Sequence, residues 1–352
     1  MIKAGIIGAG GYGGCGAIEI LSRHPHVEIK ALIDKQDVGT PVSAIYPHLK
    51  GFCDLRIISP DDPLIDDLDL DVVFFATPDG VGQREASGWL KKGVKVIDYS
   101  GDFRFNDPDI YSGYAERIGN KIPHASPELL KESVYGLPEL HRKDIIRSRL
   151  VGNPGCFAVS CILGLAPAIR NSLVEPESII CDAKTGVSGA GKRPNALFHY
   201  PARYDSMNAY KIASHQHVYE MERELSALAG NDIRISFTPH VVPLCRGILS
   251  TIYASLEQGQ SISSVVEAYK EFYKGEMFVR IFEPGALLQT AHVRGSNFCN
   301  ISLNVDMRTG RLIIVSVIDN LVKGQAGNAV QNMNIMFGIE ETTGLSIPGI
   351  YP

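Results

Sequence analysis

The stretch Ile2-Lys3-Ala4-Gly5-Ile6-Ile7-Gly8-Ala9-Gly10-Gly11-Tyr12-Gly13 decides the fold of this chain. Its apolar half predicts a strand, which leads directly into the spacing G-x-G-x-x-G over residues 8–13. Residues 12–24 then have helical spacing, and a second apolar run follows at residues 27–33. Glycines at this spacing let the backbone turn tightly and approach a pyrophosphate at a helix N-terminus. The stretch therefore predicts a dinucleotide-binding βαβ unit.

The same alternation continues through the first 150 residues, with further strands predicted at 71–76 and 94–99. From about residue 151 onward the predicted strands become longer. They fall at 178–184, 232–239, 246–256, 297–307 and 311–319. The last two are joined by Arg308-Thr309-Gly310, which predicts a hairpin. A helix predicted over 326–337 packs against one of the domains. The fold class is thus α/β: a Rossmann-type parallel-sheet domain plus an α+β domain.

Composition excludes several classes of protein. With 352 residues there is room for about two domains. A net charge of −5 and 45% hydrophobic residues argue against disorder and against a basic nucleic-acid-binding body. Seven cysteines without a C-x-x-C pair suit neither a disulfide framework nor a zinc ribbon, and they predict a cytoplasmic protein.

Two features bear on targeting and membranes. The N-terminus runs straight into a strand and has no leader-like pattern, so the mature protein is predicted to start there. Residues 150–169 are uncharged over a length that could span a bilayer. Asn153-Pro154-Gly155 and Pro167 interrupt this stretch, which predicts a buried loop followed by a buried helix and no membrane partner.

The residues after the second strand give a divided signal on cofactor choice. Asp34 stands where a carboxylate accepts the ribose hydroxyls of NAD and repels the extra phosphate of NADP. Lys35 follows it and could instead pair with that phosphate. An Asp that only caps a turn is an equally good interpretation.

Cys156 is the candidate nucleophile. It lies in Gly152-Asn153-Pro154-Gly155-Cys156-Phe157-Ala158, a turn that leads into a helical segment. A thiol at a helix N-terminus is stabilised as thiolate by the helix dipole. The other six cysteines are predicted to be bystanders.

A thiolate that attacks a carbonyl needs an acid/base partner, and His215 and His217 are the candidates. Glu220 follows His217 by three residues, so on a helix it can orient that imidazole. We therefore prefer His217, and the choice between the two stays open. A metal site built from this H-x-H and His240 lacks a completing ligand, and no metal is predicted.

Two clusters are candidate anion sites. Residues 184–193 form a glycine-rich loop beside Lys184, Lys192 and Arg193, which suits phosphate. Arg104 offers a planar fork for a carboxylate or phosphate. Either feature alone could be an ordinary solvated surface.

Several motifs together resemble one family. They are the glycine motif, Asp98-Tyr99-Ser100-Gly101-Asp102-Phe103-Arg104-Phe105, Tyr135-Gly136-Leu137-Pro138-Glu139-Leu140, Asn153-Pro154-Gly155-Cys156, Ser188-Gly189-Ala190-Gly191, His215-Gln216-His217, Pro239-His240-Val241-Val242-Pro243 and Asp319-Asn320-Leu321-Val322-Lys323-Gly324. Over nearly the whole chain the sequence resembles the N-acetyl-gamma-glutamyl-phosphate reductases of the semialdehyde dehydrogenase group.

The resemblance implies NADPH-dependent reduction of N-acetylglutamyl 5-phosphate to the 5-semialdehyde in arginine biosynthesis. Carried onto this chain, Cys156 attacks the acyl phosphate, the thioester takes a hydride, and His217 protonates the departing thiolate, with Glu220 as its partner. It also implies an NADP-binding domain over 1–150 with 320–352, and a catalytic and oligomerisation domain over 151–319. The expected assembly is a homodimer or homotetramer.

The resemblance further implies two sets of contacts. The cofactor contacts are Gly8, Gly10, Gly11, Tyr12, Gly13, Asp34, Lys35, Ala76, Pro78, Ser188, Gly189 and Asn320, and the substrate contacts are Arg104, Asn153, His215 and Lys192. The chain departs from the family where its first motif has Gly10-Gly11 and Gly13 against the threonine-containing G-A-T-G-Y-T-G, where Asp34-Lys35 stands in place of Ser-Arg, and where Gln216 stands in place of Arg.

Two alternatives remain open at this point. A lysine-pathway reductase of N-acetyl-aminoadipyl phosphate has a substrate one methylene longer, which a pocket distinguishes by only about 1–3 kcal/mol. A non-catalytic nucleotide-binding sensor could share the fold, because fold does not fix function.

Overall fold

A computed structural model describes residues 1–120 and 122–351. The strands, numbered in chain order, are β1 (Ile2–Ile7), β2 (Val27–Ile33), β3 (Ile57–Ile58), β4 (Val72–Phe75), β5 (Lys95–Asp98), β6 (Val134–Tyr135), β7 (Leu150–Gly152), β8 (Ile180–Thr185), β9 (Asn208–Ala209), β10 (Ser236–Val241), β11 (Ile248–Ser255), β12 (Val279–Ile281), β13 (Cys299–Asp306) and β14 (Arg311–Ile318). The α-helices are α1 (Tyr12–Leu21), α2 (Val42–Ile45), α3 (Gly82–Lys91), α4 (Pro108–Arg117), α5 (Pro127–Leu130), α6 (Pro138–Ile145), α7 (Cys156–Arg170), α8 (Tyr200–Arg203), α9 (Val218–Ala229), α10 (Ile262–Phe272) and α11 (Gly327–Met336).

The chain divides into two compact units. The first unit comprises Met1–Glu116, Asn120–Pro154 and Gln325–Ile347. The second unit comprises Arg117–Gly119, Gly155–Gly324 and Pro348–Pro352.

The first unit is built on a parallel sheet of seven strands in the order β3-β2-β1-β4-β5-β7-β6. All four residues of β4 are buried, as expected for a central strand with both faces covered. The order reverses beside β1, so the loops that follow β1 and β4 meet at the carboxyl edge of the sheet. That crevice is where dinucleotides bind in this architecture. The predicted Rossmann-type sheet is confirmed, and α1 begins at Tyr12 as predicted.

The second unit is built on a mixed sheet in the order β12-β13-β14-β11-β8-β10-β9. The predicted hairpin of β13 and β14 is present and antiparallel. Strand β10 starts at Ser236, four residues later than the predicted start at 232. Side chains of α9 explain this later start, because Ser226 Oγ accepts from the Ile233 N–H and Glu222 Oε1 accepts from the Ile235 N–H. These N–H groups are therefore not available to a sheet partner.

Helix α7 packs against the central strands of this mixed sheet. A Cβ on its Gly164 would lie 2.9 Å from Ile252 Cδ1, so glycine allows the close approach. The Ser160 hydroxyl lies 2.9 Å from the Ser250 hydroxyl and 3.2 Å from the Ser316 hydroxyl, which satisfies polar groups inside the packed layer. Every residue from Phe157 to Ile169 is buried. The helix that begins at Cys156 is thus held rigidly.

The uncharged stretch 150–169 resolves into strand β7, a turn and all of α7 except its last residue, Arg170. In the two described ranges, no helix combines the length and apolar character that crossing a bilayer requires.

Candidate active site

Cys156 is the first residue of α7, as the sequence predicts, and its thiol is half-buried and outside any disulfide. Gly155 precedes it as the N-cap, with extended backbone angles φ −73° and ψ 144°. The positive end of the helix dipole stabilises an anion within the first turn. This position therefore favours the thiolate form over the thiol.

The imidazole of His217 lies directly over the turn that leads into Cys156. A Cβ built on Gly155 would stand 2.4 Å from His217 Nε2 and 2.5 Å from its Cε1. No real side chain fits at such distances, so a glycine at 155 is what lets this ring approach the turn.

Glu220 contacts both the turn before Cys156 and the imidazole of His217. Its carboxylate is fully buried, and Oε2 accepts a 2.9 Å hydrogen bond from the backbone N–H of Gly155. The other oxygen, Oε1, lies 4.0 Å from His217 Nε2. Because α9 begins immediately after His217, this glutamate falls one turn along the helix. The predicted neighbourhood of Glu220 and His217 is confirmed.

His215 lies beside His217, with ring centroids 4.6 Å apart. Its Nδ1 accepts a 3.2 Å hydrogen bond from the His217 backbone N–H, while Phe157 and Phe237 present ring edges to it. Burial in this aromatic cluster lowers the pKa of His215 to about 2, and the nearby charges of His217 and Lys211 act in the same direction. This imidazole therefore stays neutral near pH 7.

A loop near residue 320 closes against the cysteine. A Cβ on Gly324 would lie 2.7 Å from Cys156 Cβ, so only glycine fits there. The Gly324 N–H donates to the Asp319 carbonyl at 2.9 Å. The buried Asp319 carboxylate in turn accepts from Arg246 Nη2 at 3.1 Å and from the Gly295 N–H at 2.7 Å. Sequence reasoning missed Asp319 as the residue that organises this loop, because its partners are distant in sequence.

Tyr210 is a second residue that sequence reasoning missed. Its ring centroid is 5.8 Å from that of His215. Burial raises the pKa of the Tyr210 phenol well above its usual range, and the proximity of Cys156 raises it further. The hydroxyl is thus a neutral group near the thiol. No local pattern in the sequence distinguishes this tyrosine from the other 13.

The predicted cofactor loop lies in the first unit. Gly8 has φ +85°, and a Cβ there would stand 2.4 Å from the Ala76 carbonyl oxygen. The loops after β1 and β4 therefore meet closely, as the predicted contacts require. The N–H groups of the first turn of α1 have no partner within the helix. This cradle fits a pyrophosphate.

Asp34 faces the glycine loop. Its Oδ2 accepts from the Gly10 N–H at 2.9 Å, and its Oδ1 accepts from the Gln36 N–H at 3.0 Å. Both carboxylate oxygens thus stabilise backbone. Lys35 is exposed, Tyr12 is partly exposed, and Pro78 lies in the turn after β4.

Arg104 and Asn153 are buried in the first unit. Arg104 donates through Nε to the Asn153 carbonyl at 2.8 Å and through Nη2 to the Tyr99 carbonyl at 2.5 Å. The Asn153 side chain donates to the Gln325 carbonyl at 3.0 Å and accepts from Asn328 Nδ2 at 2.9 Å. Both side chains therefore hold the segment that precedes the cysteine turn.

The other predicted contacts lie in the second unit. Asn320 donates to Ser188 Oγ at 3.0 Å and accepts from the Gly247 N–H at 2.7 Å, beside Gly189. Lys192 is exposed, and Lys184 pairs with Asp182 at 2.8 Å.

His240 does not form a three-ligand metal site with the H-x-H pair. It lies 3.0 Å from Asp182 through Nδ1. Across residues 1–120 and 122–351, no three-ligand group includes His215, His217 or His240.

Two family models match this chain, one over each part of it. The family "Semialdehyde dehydrogenase, NAD binding domain" matches residues 3–148, and "Semialdehyde dehydrogenase, dimerisation domain" matches residues 156–320. The chain is 46% identical over 353 residues to the N-acetyl-gamma-glutamyl-phosphate reductase of Geobacter metallireducens, 45% identical to that of Citrifermentans bemidjiense and 46% identical to that of a Thermoanaerobacter species. Each match covers 100% of both chains.

Solved structures show the same fold at low sequence identity. Aspartate semialdehyde dehydrogenase II from Vibrio cholerae gives a TM-score of 0.71 at 16% identity, covering 96% of this chain and 99% of that one. The Candida albicans aspartate semialdehyde dehydrogenase, solved with NADP, gives 0.70 at 15% identity, covering 96% and 98%. The two-domain α/β fold and the resemblance seen in the sequence are confirmed. The chain belongs to the semialdehyde dehydrogenase family and, within it, to the N-acetyl-gamma-glutamyl-phosphate reductases.

Proposed function

We propose that this chain reduces N-acetyl-L-glutamyl 5-phosphate to N-acetyl-L-glutamate 5-semialdehyde and phosphate, with NADPH as the reductant. The observation that carries the proposal is one arrangement: Cys156 at a helix N-terminus, the His217 ring over the preceding turn, and buried Glu220 bonded to that turn and adjacent to the ring. The relatives that match over their full length are named N-acetyl-gamma-glutamyl-phosphate reductase.

Cys156 acts as the nucleophile. Its sulfur forms a bond to the acyl carbon, the carbon–oxygen bond to the phosphate breaks, and phosphate leaves with the electron pair. This divides one difficult substitution into two easier steps through a thioester. Since the dipole of α7 favours the thiolate, no separate base has to remove the thiol proton at the moment of attack.

His217 acts as the acid/base. When the reduced adduct collapses to the aldehyde, the carbon–sulfur bond breaks, the electron pair moves to sulfur, and His217 supplies a proton to it. His215 cannot do this at neutral pH, because a group with a pKa of about 2 carries no transferable proton as a cation. It acts as a positioning residue, since its Nδ1 holds the His217 backbone.

The dinucleotide supplies the hydride when it is bound. The glycine loop and the N-terminus of α1 hold its pyrophosphate, with Asp34 keeping the loop in shape through Gly10 and Gln36. Exposed Lys35 is the cation that we assign to the extra phosphate of NADPH. Ala76 and Pro78 line the neighbouring loop, while Ser188, Gly189 and Asn320 complete the proposed contact set.

The substrate contacts divide into two kinds. Exposed Lys192 is the proposed partner of an anionic group of the substrate. Arg104 and Asn153 act through the segment before Cys156, because Arg104 Nε and Nη2 and the Asn153 amide each donate to a backbone carbonyl. We further propose that the protein is cytoplasmic and works as a homodimer or homotetramer through the unit that contains the dimerisation domain.

The substrate assignment is tested by reverse kinetics. Phosphate-dependent reduction of NADP is measured with N-acetylglutamate 5-semialdehyde and, side by side, with the aminoadipate homologue that is one methylene longer. We expect kcat/KM to favour the shorter aldehyde by about 10-fold to 200-fold, which is what one methylene is worth in a fitted pocket. Equal values, or a preference for the longer aldehyde, would move the assignment to the lysine-pathway substrate.

A further inference from the structure

A cluster of three potential metal ligands lies in the first unit, and none of the three is assigned to catalysis. Cys15 and Glu19 are four residues apart on α1, so their side chains occupy the same helix face. His48 reaches them from a short 3-10 turn at Pro47–Leu49. The thiol, carboxylate and imidazole atoms all lie within 4.8 Å of one another.

The separations in this cluster suit a tetrahedral ion. Cys15 Sγ lies 3.7 Å from Glu19 Oε1, and His48 Nε2 lies 2.8 Å from the same oxygen. Tetrahedral zinc has ligand distances of about 2.3 Å to sulfur and about 2.0 Å to nitrogen or oxygen, which places its ligands roughly 3.3–3.5 Å apart. The sulfur–oxygen pair, at 3.7 Å, needs to close by only about 0.2 Å, and the exposed imidazole needs to withdraw by only about 0.5 Å.

The chemistry of the three groups selects the metal. A thiolate and an imidazole favour zinc over magnesium or calcium, which take oxygen ligands. Cys15 is buried while His48 is exposed, so an ion would sit at the surface with a fourth position left for water. On binding, the Cys15 thiol proton passes to solvent, and the ion binds His48 Nε2 while the neutral imidazole carries its proton on Nδ1.

We propose that Cys15, Glu19 and His48 form a binding site for one zinc ion, next to the cofactor loop. The site joins α1 to the segment of Tyr46, whose hydroxyl donates to the Gly10 carbonyl at 2.8 Å. It is independent of the proposed reductase activity, since none of its three ligands is in the proposed catalytic or binding set.

Cobalt serves as the spectroscopic probe. The titration uses the full chain carrying Cys156→Ser, so that the proposed nucleophile cannot compete for the ion. We expect one equivalent of Co²⁺ to give a near-ultraviolet sulfur-to-cobalt charge-transfer band and visible bands typical of tetrahedral cobalt, and stoichiometric Zn²⁺ to displace it. Absence of the charge-transfer band would overturn the proposal.

Two further variants in the same background identify the ligands. Cys15→Ser should abolish the band. His48→Gln changes an exposed side chain and should weaken Zn²⁺ binding by at least about tenfold, the smaller end of what even outer-shell partners of a metal contribute. Cys53→Ser removes another buried thiol of the same unit and should change nothing. A band that survives Cys15→Ser, or unchanged affinity in His48→Gln, would also overturn the three-ligand site.

Discussion

The buried carboxylate of Glu220 accepts a 2.9 Å hydrogen bond from the backbone N–H of Gly155. One residue of α9 thereby fixes the turn from which the cysteine helix starts. The second carboxylate oxygen faces His217 Nε2 at 4.0 Å. A single side chain thus sets the position of the proposed nucleophile and the electrostatics of the proposed acid/base.

Glu220→Gln separates these two roles. The amide oxygen can still accept from Gly155, so the turn should keep its shape, while the negative charge beside the imidazole is lost. Removing that charge disfavours the imidazolium. We expect the limb of the pH–rate profile that His217 governs to move toward lower pH, with KM little changed. A uniformly lower kcat with an unshifted profile would mean that Glu220 is only structural.

Gly155→Ala tests the close packing of the histidine ring on the turn. The added methyl would stand 2.4 Å from His217 Nε2, so the ring must move. Misplacing a catalytic group by about 1 Å can cost about 100-fold in rate, and we expect kcat to fall at least that far.

The control for this variant is Gly88→Ala in α3. Nothing lies within 4 Å of a Cβ at Gly88, which is exposed in mid-helix. Alanine there should leave kcat unchanged and stabilise the protein by about 0.5–1 kcal/mol. A Gly155→Ala enzyme as active as the Gly88→Ala enzyme would contradict the described packing.

His215 makes the protein sensitive to acid. Its folded pKa is about 2, so below about pH 6.5 the unfolded chain binds a proton at this residue that the folded chain does not. The free energy of unfolding therefore decreases as the pH is lowered, by about 2 kcal/mol between pH 6.5 and pH 5 from this residue alone. His215→Asn keeps an acceptor for the His217 N–H and cannot titrate.

We expect His215→Asn to lose that part of the pH dependence, measured by urea unfolding at several pH values. The comparison uses the slope with pH and not the absolute stability, because asparagine also leaves space among Phe157 and Phe237. His199→Asn, which replaces an exposed histidine of the same unit, should retain the wild-type slope. Equal slopes in all three proteins would show that His215 does not stay neutral on folding.

Asp34 and Lys35 are expected to affect cofactor use differently. Both oxygens of Asp34 accept from backbone N–H groups, so Asp34→Asn should weaken NADPH and NADH alike, by about tenfold in KM for a lost charged hydrogen bond. Lys35→Ala should raise KM for NADPH alone. The wild-type enzyme should prefer NADPH in the same assay. A strong NADH preference would contradict the cofactor assignment, and an Asp34→Asn effect on one cofactor only would place that carboxylate on the ribose.

The sequence predicted those parts of the structure whose signals are local. The glycine spacing after an apolar run identified the β1–α1 turn, and Gly155-Cys156 before an uncharged helix identified the N-terminus of α7. The neighbourhood of His217 and Glu220 followed from helical spacing. The start of β10 was wrong because side chains of α9 capture two N–H groups, a tertiary contact with no local pattern. The role of Asp319 in organising its loop, and the place of Tyr210 in the site, were missed for the same reason.

The roles of single side chains were harder to predict than their positions. Arg104 has the chemistry of an anion fork, yet its Nε and Nη2 donate to the carbonyls of Asn153 and Tyr99. Asp34 has the chemistry of a ribose acceptor, yet it accepts from Gly10 and Gln36. In each case the choice between ligand and backbone depends on distances that only the folded chain fixes.

The central claim is that Cys156 forms the bond to the substrate. The most direct test compares Cys156→Ala with the wild type in phosphate-dependent reduction of NADP by N-acetylglutamate 5-semialdehyde, with Cys245→Ala, an exposed cysteine, as the control. We expect a loss of about a thousandfold or more in kcat for Cys156→Ala, as is found when a nucleophile is removed, with an unchanged unfolding transition. We expect full activity for the control. Full turnover by Cys156→Ala would show that Cys156 does not form the bond to the substrate.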